Sequence, residues 1–182
     1  NQELINKDIR DKVVLITGAG GSIGSEISRQ VSENKPRSVI LLDSNEYSLY
    51  AIKKEIEVSY PNIDLNSILV SVNNKNRLIQ VFKAFSVDTI YHSAAYKHVS
   101  LVEENPFEAV LNNILGTKNS VEAAIESNVS TFVLISTDKA VRPTNIMGAT
   151  KRFSELILQA LSSKVDIKNI SIKDSSDLSL NN

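Results

Sequence analysis

The stretch KVVLITGAGGSIGSEISRQ, residues 12–30, decides the fold. Its opening, KVVLIT (12–17), is a short and almost wholly apolar run, as expected of a strand covered on both faces. Glycines at 18, 21 and 24 follow, and a helix is predicted over Ser25–Glu33. In such a turn Gly18 permits the tight bend, Gly21 lets backbone approach a pyrophosphate, and Gly24 lets the helix pack close to the strand. Backbone N–H groups at the helix start then face the phosphates. A glycine-rich turn can also exist without a ligand; the strand-turn-helix setting is what favours dinucleotide binding. Ser22 and Ile23, between the last two glycines, join the cofactor-binding set.

The same alternation continues outward. SVILLD (38–43), SILVSV (67–72), DTIYHSAA (88–95) and TFVLIST (131–137) are further strand candidates. Helices are predicted at Glu46–Tyr60, Lys75–Phe85, Pro106–Ser127 and Ile146–Ser162, the last with apolar residues at helical spacing. Alternating β and α elements imply an α/β fold, a Rossmann-like doubly wound parallel sheet with helices on both faces. Residues 1–162 form the NAD-binding domain in this reading. Residues 163–182 are polar, carry one weak strand at 168–172, and are expected to be a polar tail or the remnant of a truncated substrate domain.

Composition narrows the function classes. The 182 residues carry a net charge of −1 with no basic tract, which argues against nucleic acid as partner. There is no cysteine, so disulfides and thiolate metal sites are excluded and a reducing cytoplasm is compatible. No apolar run approaches membrane-spanning length, and the two histidines do not cluster with carboxylates as a metal site requires.

Three groups of residues stand at expected strand ends, where an open parallel sheet binds its ligands. Asp43 ends the second strand, nineteen residues after Gly24, where a carboxylate accepts both hydroxyls of an adenosine ribose and repels a 2′-phosphate. That favours NAD over NADP; the alternative is an Asp capping the next helix, and both can hold together. Ala94 and Ala95, after the fourth strand, complete the cofactor set, and Lys97 beyond them is placed for a phosphate or sugar hydroxyl or for a surface role. His92, within that strand, reads as a core residue, and Asn113 as a polar contact inside an apolar helix. Thr137, Asp138 and Lys139 leave the fifth strand together. An acid beside an amine can share general-acid and general-base roles, although a surface turn would look the same. Lys151 lies one helical turn beyond Met147, on the same face.

VLITGAGGSIGSEISRQ, LLDSNEYSLYAI, HSAAYKHVSLVEENPFEAVLNNILGTKN and LISTDKAVRPTNIMGATKR together resemble the bacterial nucleotide-sugar 4,6-dehydratases of polysaccharide biosynthesis. These are extended short-chain dehydrogenase/reductases, and the closest type acts on UDP-N-acetylglucosamine. The usual tyrosine four residues before the lysine is Met147 here, resembling the branch with that replacement. A thioether cannot move protons, so Met147 is left with packing or substrate contact.

The resemblance implies the following roles. NAD accepts the C4 hydride and returns it to C6. Thr137 orients the C4 hydroxyl, Asp138 protonates the leaving C6 hydroxyl, and Lys139 is the C5 base, its amine neutralised by burial. Lys151 holds the nicotinamide ribose, and Asn113 supports the active-site helix. The base for C4 oxidation stays open among Asp138, Lys139 and water. Ser100 stands where proline is common after KHV, a minor departure. The family's smaller carboxyl-terminal substrate domain cannot be read after Ser163 and is expected to be missing. The resemblance further implies a UDP-sugar substrate, a homo-oligomer, and a cytoplasmic location, or attachment to the cytoplasmic face of the inner membrane through an absent N-terminal region. Alternatives are a nucleotide-sugar 4-epimerase and a truncated, non-catalytic NAD-binding remnant.

Overall fold

The computed structural model describes residues 7–162 and the backbone of 169–174. Strands β1 (Val13–Thr17), β2 (Ser38–Asp43), β3 (Leu65–Leu69), β4 (Thr89–His92), β5 (Thr131–Ser136) and β6 (Asn169–Asp174) form one sheet. Their order is β3-β2-β1-β4-β5-β6, and every neighbouring pair is parallel. The connecting helices are α1 (Ser22–Glu33), α2 (Glu46–Ser59), α3 (Lys75–Ala84), α4 (Val99–Glu104), α5 (Pro106–Ala109), α6 (Gly116–Glu126) and α7 (Ile146–Ser162). The strand order reverses between β1 and β4, which is where such sheets open a crevice at the carboxyl ends of their strands.

The apolar strand runs are continuous because each face of the sheet is covered. Leu15, Leu42, Ile90 and Leu134 pack with Leu78, Phe82, Val121 and Leu158, so α3, α6 and α7 cover one face. Val14, Ile16, Leu41 and Ile135 alternate to the other face, against Ile27 and Val31 of α1 and Ile52 and Ile56 of α2. Each fully buried Leu, Ile or Phe contributes roughly 1.5–3 kcal/mol relative to exposure. Two rigid helix layers thus clamp the strands whose ends carry the site.

Several elements differ from the sequence reading. β3 lies two to three residues earlier than 67–72, because its register on β2 runs from Val39↔Leu65 to Asp43↔Leu69. It is a half-covered edge strand, and the chain leaves it when Asn74 turns to cap α3 through the Arg77 N–H. β4 stops at His92 rather than continuing to 95. The single helix expected at 106–127 is α5, a π-helical turn at Val110–Leu115, and α6. The short helix α4 has no counterpart in the sequence reading. β6 pairs with β5 from Thr131↔Asn169 to Ser136↔Asp174, so the sheet runs past residue 162. The remaining parts of the expected tail, 163–168 and 175–182, lie outside the described residues.

Candidate functional site

The glycine turn meets two strict backbone demands. Gly18 has φ +65°, and a Cβ there would stand 2.7 Å from Ala94 Cα. A Cβ on Gly24 would collide with the Gly18 carbonyl oxygen, so α1 starts directly against the turn. Gly21 is the N-cap of α1; no side chain caps this helix and its first turn carries no acid. The N–H groups and positive dipole end are therefore left for an anion. Asp43 Oδ2 accepts the Gly20 N–H at 2.9 Å and Oδ1 accepts the Asn45 N–H at 2.9 Å. The helix cap of α2 is Asn45, not Asp43. A carboxylate has about four acceptor sites, so this one, fixed by two N–H groups, retains capacity for ribose hydroxyls.

The β4 loop closes over the turn. Ala94 N–H points to Thr17 Oγ1 at 3.4 Å, and Lys97 Nζ donates to Ser22 Oγ at 3.0 Å. Lys97 thereby stands at the amino end of α1. Ala95, Tyr96, Lys97 and His98 line a cavity of about 410 Å³ with Leu101 and Val102 of α4.

At the end of β5, Thr137 Oγ1 donates to Asp138 Oδ1 at 2.9 Å and caps the short 3-10 turn Asp138–Ala140. Lys139 Nζ lies 3.6 Å from Asp138 Oδ1, with side chains 52% and 81% exposed respectively. The burial expected to neutralise the Lys139 amine is thus not present among the described residues; nothing described covers the pair. The Thr137 hydroxyl and the Lys139 ammonium hold the Asp138 carboxyl below its usual range.

Helix α7 rests on this turn. A Cβ on Gly148 would strike the Lys139 carbonyl oxygen, so the helix approaches as closely as glycine allows. Glu103 of α4 accepts the Ile146 N–H at 2.6 Å, and Asn145 Oδ1 accepts the Gly148 N–H at 2.8 Å, fixing the helix start. Lys151 is buried, and its Nζ donates to the Ile135 carbonyl at 2.6 Å. Burial pulls its ammonium down to about 8, against a weaker pull upward from Glu155. It is a buried lysine, held by the strand backbone rather than by solvent. Met147 is 4% exposed and packs with Val102 and Ala109. Of the two roles open to it, packing is the one this structure displays.

Asn113 sits in the π-turn and grips both neighbouring elements. Its Oδ1 accepts the Tyr96 N–H at 2.8 Å, and its Nδ2 donates to the Tyr96 carbonyl and to Thr150 Oγ1, each at 3.0 Å. His92 is buried and pushed down to about 3 by burial and by the nearby Lys151 charge. Thr17, Thr117, Thr150, Ser154 and Glu103 were missed as positioning groups. Thr150 and Ser154 left a signal, two small polar residues at i and i+4 on the apolar face of α7. Among the described residues no cluster of three metal-ligating side chains occurs, and no helix is long and apolar enough to cross a membrane.

Comparison with known proteins places this geometry in a family. The family model described as "Polysaccharide biosynthesis protein" matches residues 14–173. The capsular polysaccharide biosynthesis protein CapD of Staphylococcus aureus is 52% identical over 87% of this chain and 26% of the relative. A UDP-N-acetylglucosamine 4,6-dehydratase (inverting) of Campylobacter jejuni is 34% identical over 82% of this chain and 43% of the relative. A UDP-glucose 4-epimerase of Rickettsia canadensis is 33% identical over 80% and 42%. Among solved structures, Pen from Bacillus thuringiensis superposes with a TM-score of 0.83 at 34% identity, over 91% of this chain and 50% of the other. A dTDP-glucose 4,6-dehydratase from Streptomyces venezuelae with NAD bound has a TM-score of 0.77 at 23% identity, over 87% and 54%, and shows the fold alone. The chain spans between about a quarter and about half of the length of these proteins.

Proposed function

This chain belongs to the polysaccharide biosynthesis protein family, and from that premise we propose that it is the NAD-binding part of a nucleotide-sugar 4,6-dehydratase acting on UDP-N-acetylglucosamine. The observation that carries the reading is the Thr137–Asp138–Lys139 turn, set at a strand end against the helix that holds buried Lys151. NAD fits the residues present: an uncapped helix start at Gly21, a turn with no room for a Cβ at Gly18 or Gly24, and the Asp43 carboxylate anchored beside it. When bound it supplies the hydride acceptor for C4 and the hydride donor for C6. Ser22 and Lys97 hold its diphosphate side, and Lys151 its nicotinamide ribose.

The residues then divide the proton work. Thr137 orients the C4 hydroxyl; as C4 gives up its hydride the hydroxyl proton passes to solvent, which restores to Asp138 the proton it later gives to the leaving oxygen. Once C4 is a ketone the C5 proton is acidic, and the Lys139 amine removes it. The C6–O bond breaks as Asp138 protonates the departing oxygen, and water leaves. Lys139 returns a solvent-derived proton to C5 as hydride reaches C6, so the net change is loss of one water. Burial under a bound sugar would penalise charge on both side chains and so favour the neutral acid beside the neutral amine that the elimination needs.

The reaction is tested by incubating the chain with NAD and UDP-N-acetylglucosamine and weighing the product. Loss of one water supports elimination; a C4 epimer of unchanged mass overturns it in favour of an epimerase, which has no need of an acid at C6. The exposure of Asp138 and Lys139 favours a second reading, in which this chain alone binds NAD without turnover. A homodimer is also proposed, because Phe107, Leu111 and Leu115 beside Phe153 and Leu156 leave an apolar face exposed across α5, the π-turn and α7.

A further inference from the structure

His92 ends β4, directly beside Thr17 at the end of β1. Its ring has a hydroxyl on each side: Thr17 Oγ1 at 2.8 Å from Nδ1 and Thr117 Oγ1 at 3.1 Å from Nε2. The direction of these bonds follows from counting protons. Thr117 has one hydroxyl proton and gives it to the Asn113 carbonyl at 2.6 Å. Toward His92 it can therefore only accept, so Nε2 carries the ring proton. Nδ1 is then an acceptor, and Thr17 Oγ1 donates to it while accepting the Ala94 N–H at 3.4 Å. The bonds run one way, from the Ala94 N–H through Thr17, His92 and Thr117 to the Asn113 carbonyl.

Both ends of this relay are functional elements. Ala94 lies against Gly18, and its N–H ties it to Thr17, the residue before that glycine. The Asn113 carbonyl also accepts Ser154 Oγ of α7 at 2.8 Å, while the Asn113 side chain holds Tyr96 and Thr150. We propose that His92, as the neutral imidazole protonated on Nε2, is a positioning residue that couples the dinucleotide turn to the Asn113 π-turn and so to α7. The inference rests on the dinucleotide reading of that turn. His92 touches no ligand; it fixes where Thr17 and Asn113 stand.

The test uses the full chain and two readouts. The first is the ¹⁵N NMR spectrum of the His92 ring between about pH 5 and pH 8, with a protonated Nε2 and a bare Nδ1 expected. The opposite tautomer, or an imidazolium, overturns the relay whether or not NAD binds. The second is NAD affinity in a cycle of Thr117→Val, His92→Leu and the double variant. Thr117→Val, far from the turn in the chain, is expected to weaken NAD binding about fivefold or more, and to have no further effect once His92 is Leu. A merely structural role lowers the melting temperature of Thr117→Val while leaving NAD affinity unchanged, and that result overturns the proposal. If the chain takes up no NAD, the cofactor reading fails separately; the relay is then judged by the tautomer and by non-additive melting of Thr17→Val with Thr117→Val. Should His92→Leu fail to fold, Thr17→Val, which removes the hydroxyl that donates to Nδ1, takes its place in the same cycle.

Discussion

The buried amine of Lys151 donates to the backbone carbonyl of Ile135 at 2.6 Å, so the helix that carries the site is tied to the last turn of the strand that precedes it. This contact sets a charge in a place that opposes charge. Burial lowers the Lys151 ammonium from 10.5 to about 8. Between those values the unfolded chain binds more protons than the folded one, so stability rises with pH there. Below about pH 8 the full penalty applies, on the order of 3 kcal/mol. The expected outcome is a rise in unfolding free energy from about pH 8 to pH 10, measured by urea melts, which Lys151→Met abolishes. A flat wild-type profile in that window would show the amine to be solvated.

His92 predicts a second, acidic limb. Its ring is lowered from 6.5 to about 3, so the unfolded chain binds the extra proton between these values and stability falls as pH drops through them. Replacement by Gln removes this limb. Melting temperatures of both proteins across about pH 4 to 7 measure it, with the wild-type slope steeper.

Gly18→Ala has two costs. The left-handed backbone at φ +65° costs an alanine about 1–2 kcal/mol, and its Cβ meets Ala94. The variant is expected to lose at least that stability and to bind NAD at least tenfold more weakly, read by denaturant melts and by titration calorimetry. Unchanged affinity would place the dinucleotide elsewhere.

Asp43→Asn keeps an acceptor for the Gly20 N–H but removes the negative charge. NAD affinity should fall and NADP affinity rise, because repulsion of the 2′-phosphate is lost. Parallel titrations with the two cofactors give the ratio, and a ratio equal to that of the wild type would remove Asp43 from the ribose site.

Much of this architecture was legible in the sequence, for reasons that can be located. The turn at Gly18–Gly24 was readable because its backbone leaves no room for a side chain at Gly18 and Gly24, and the paired strand runs because both sheet faces are covered. Thr137–Lys139 could be placed at a strand end by the same logic. The π-turn was not readable. Its Asn113 carbonyl accepts Thr117 Oγ1 from the next helical turn and Ser154 Oγ from another helix, and the second of these contacts is tertiary. The packing of Met147 was not readable either, because its apolar surroundings come from α4 and α5, and α4 has no counterpart in the sequence reading. The exposure of Asp138 and Lys139 depends on what lies above them, which no local pattern encodes.

The most direct measurement is deuterium incorporation when UDP-N-acetylglucosamine is turned over with NAD in heavy water. The wild-type chain is expected to give a product lighter by one water with a single deuterium at C5, and Lys139→Ala to give none. Elimination by Lys139→Ala at an undiminished rate, or a product whose C5 carries no solvent deuterium, contradicts the assignment of the paired amine and acid.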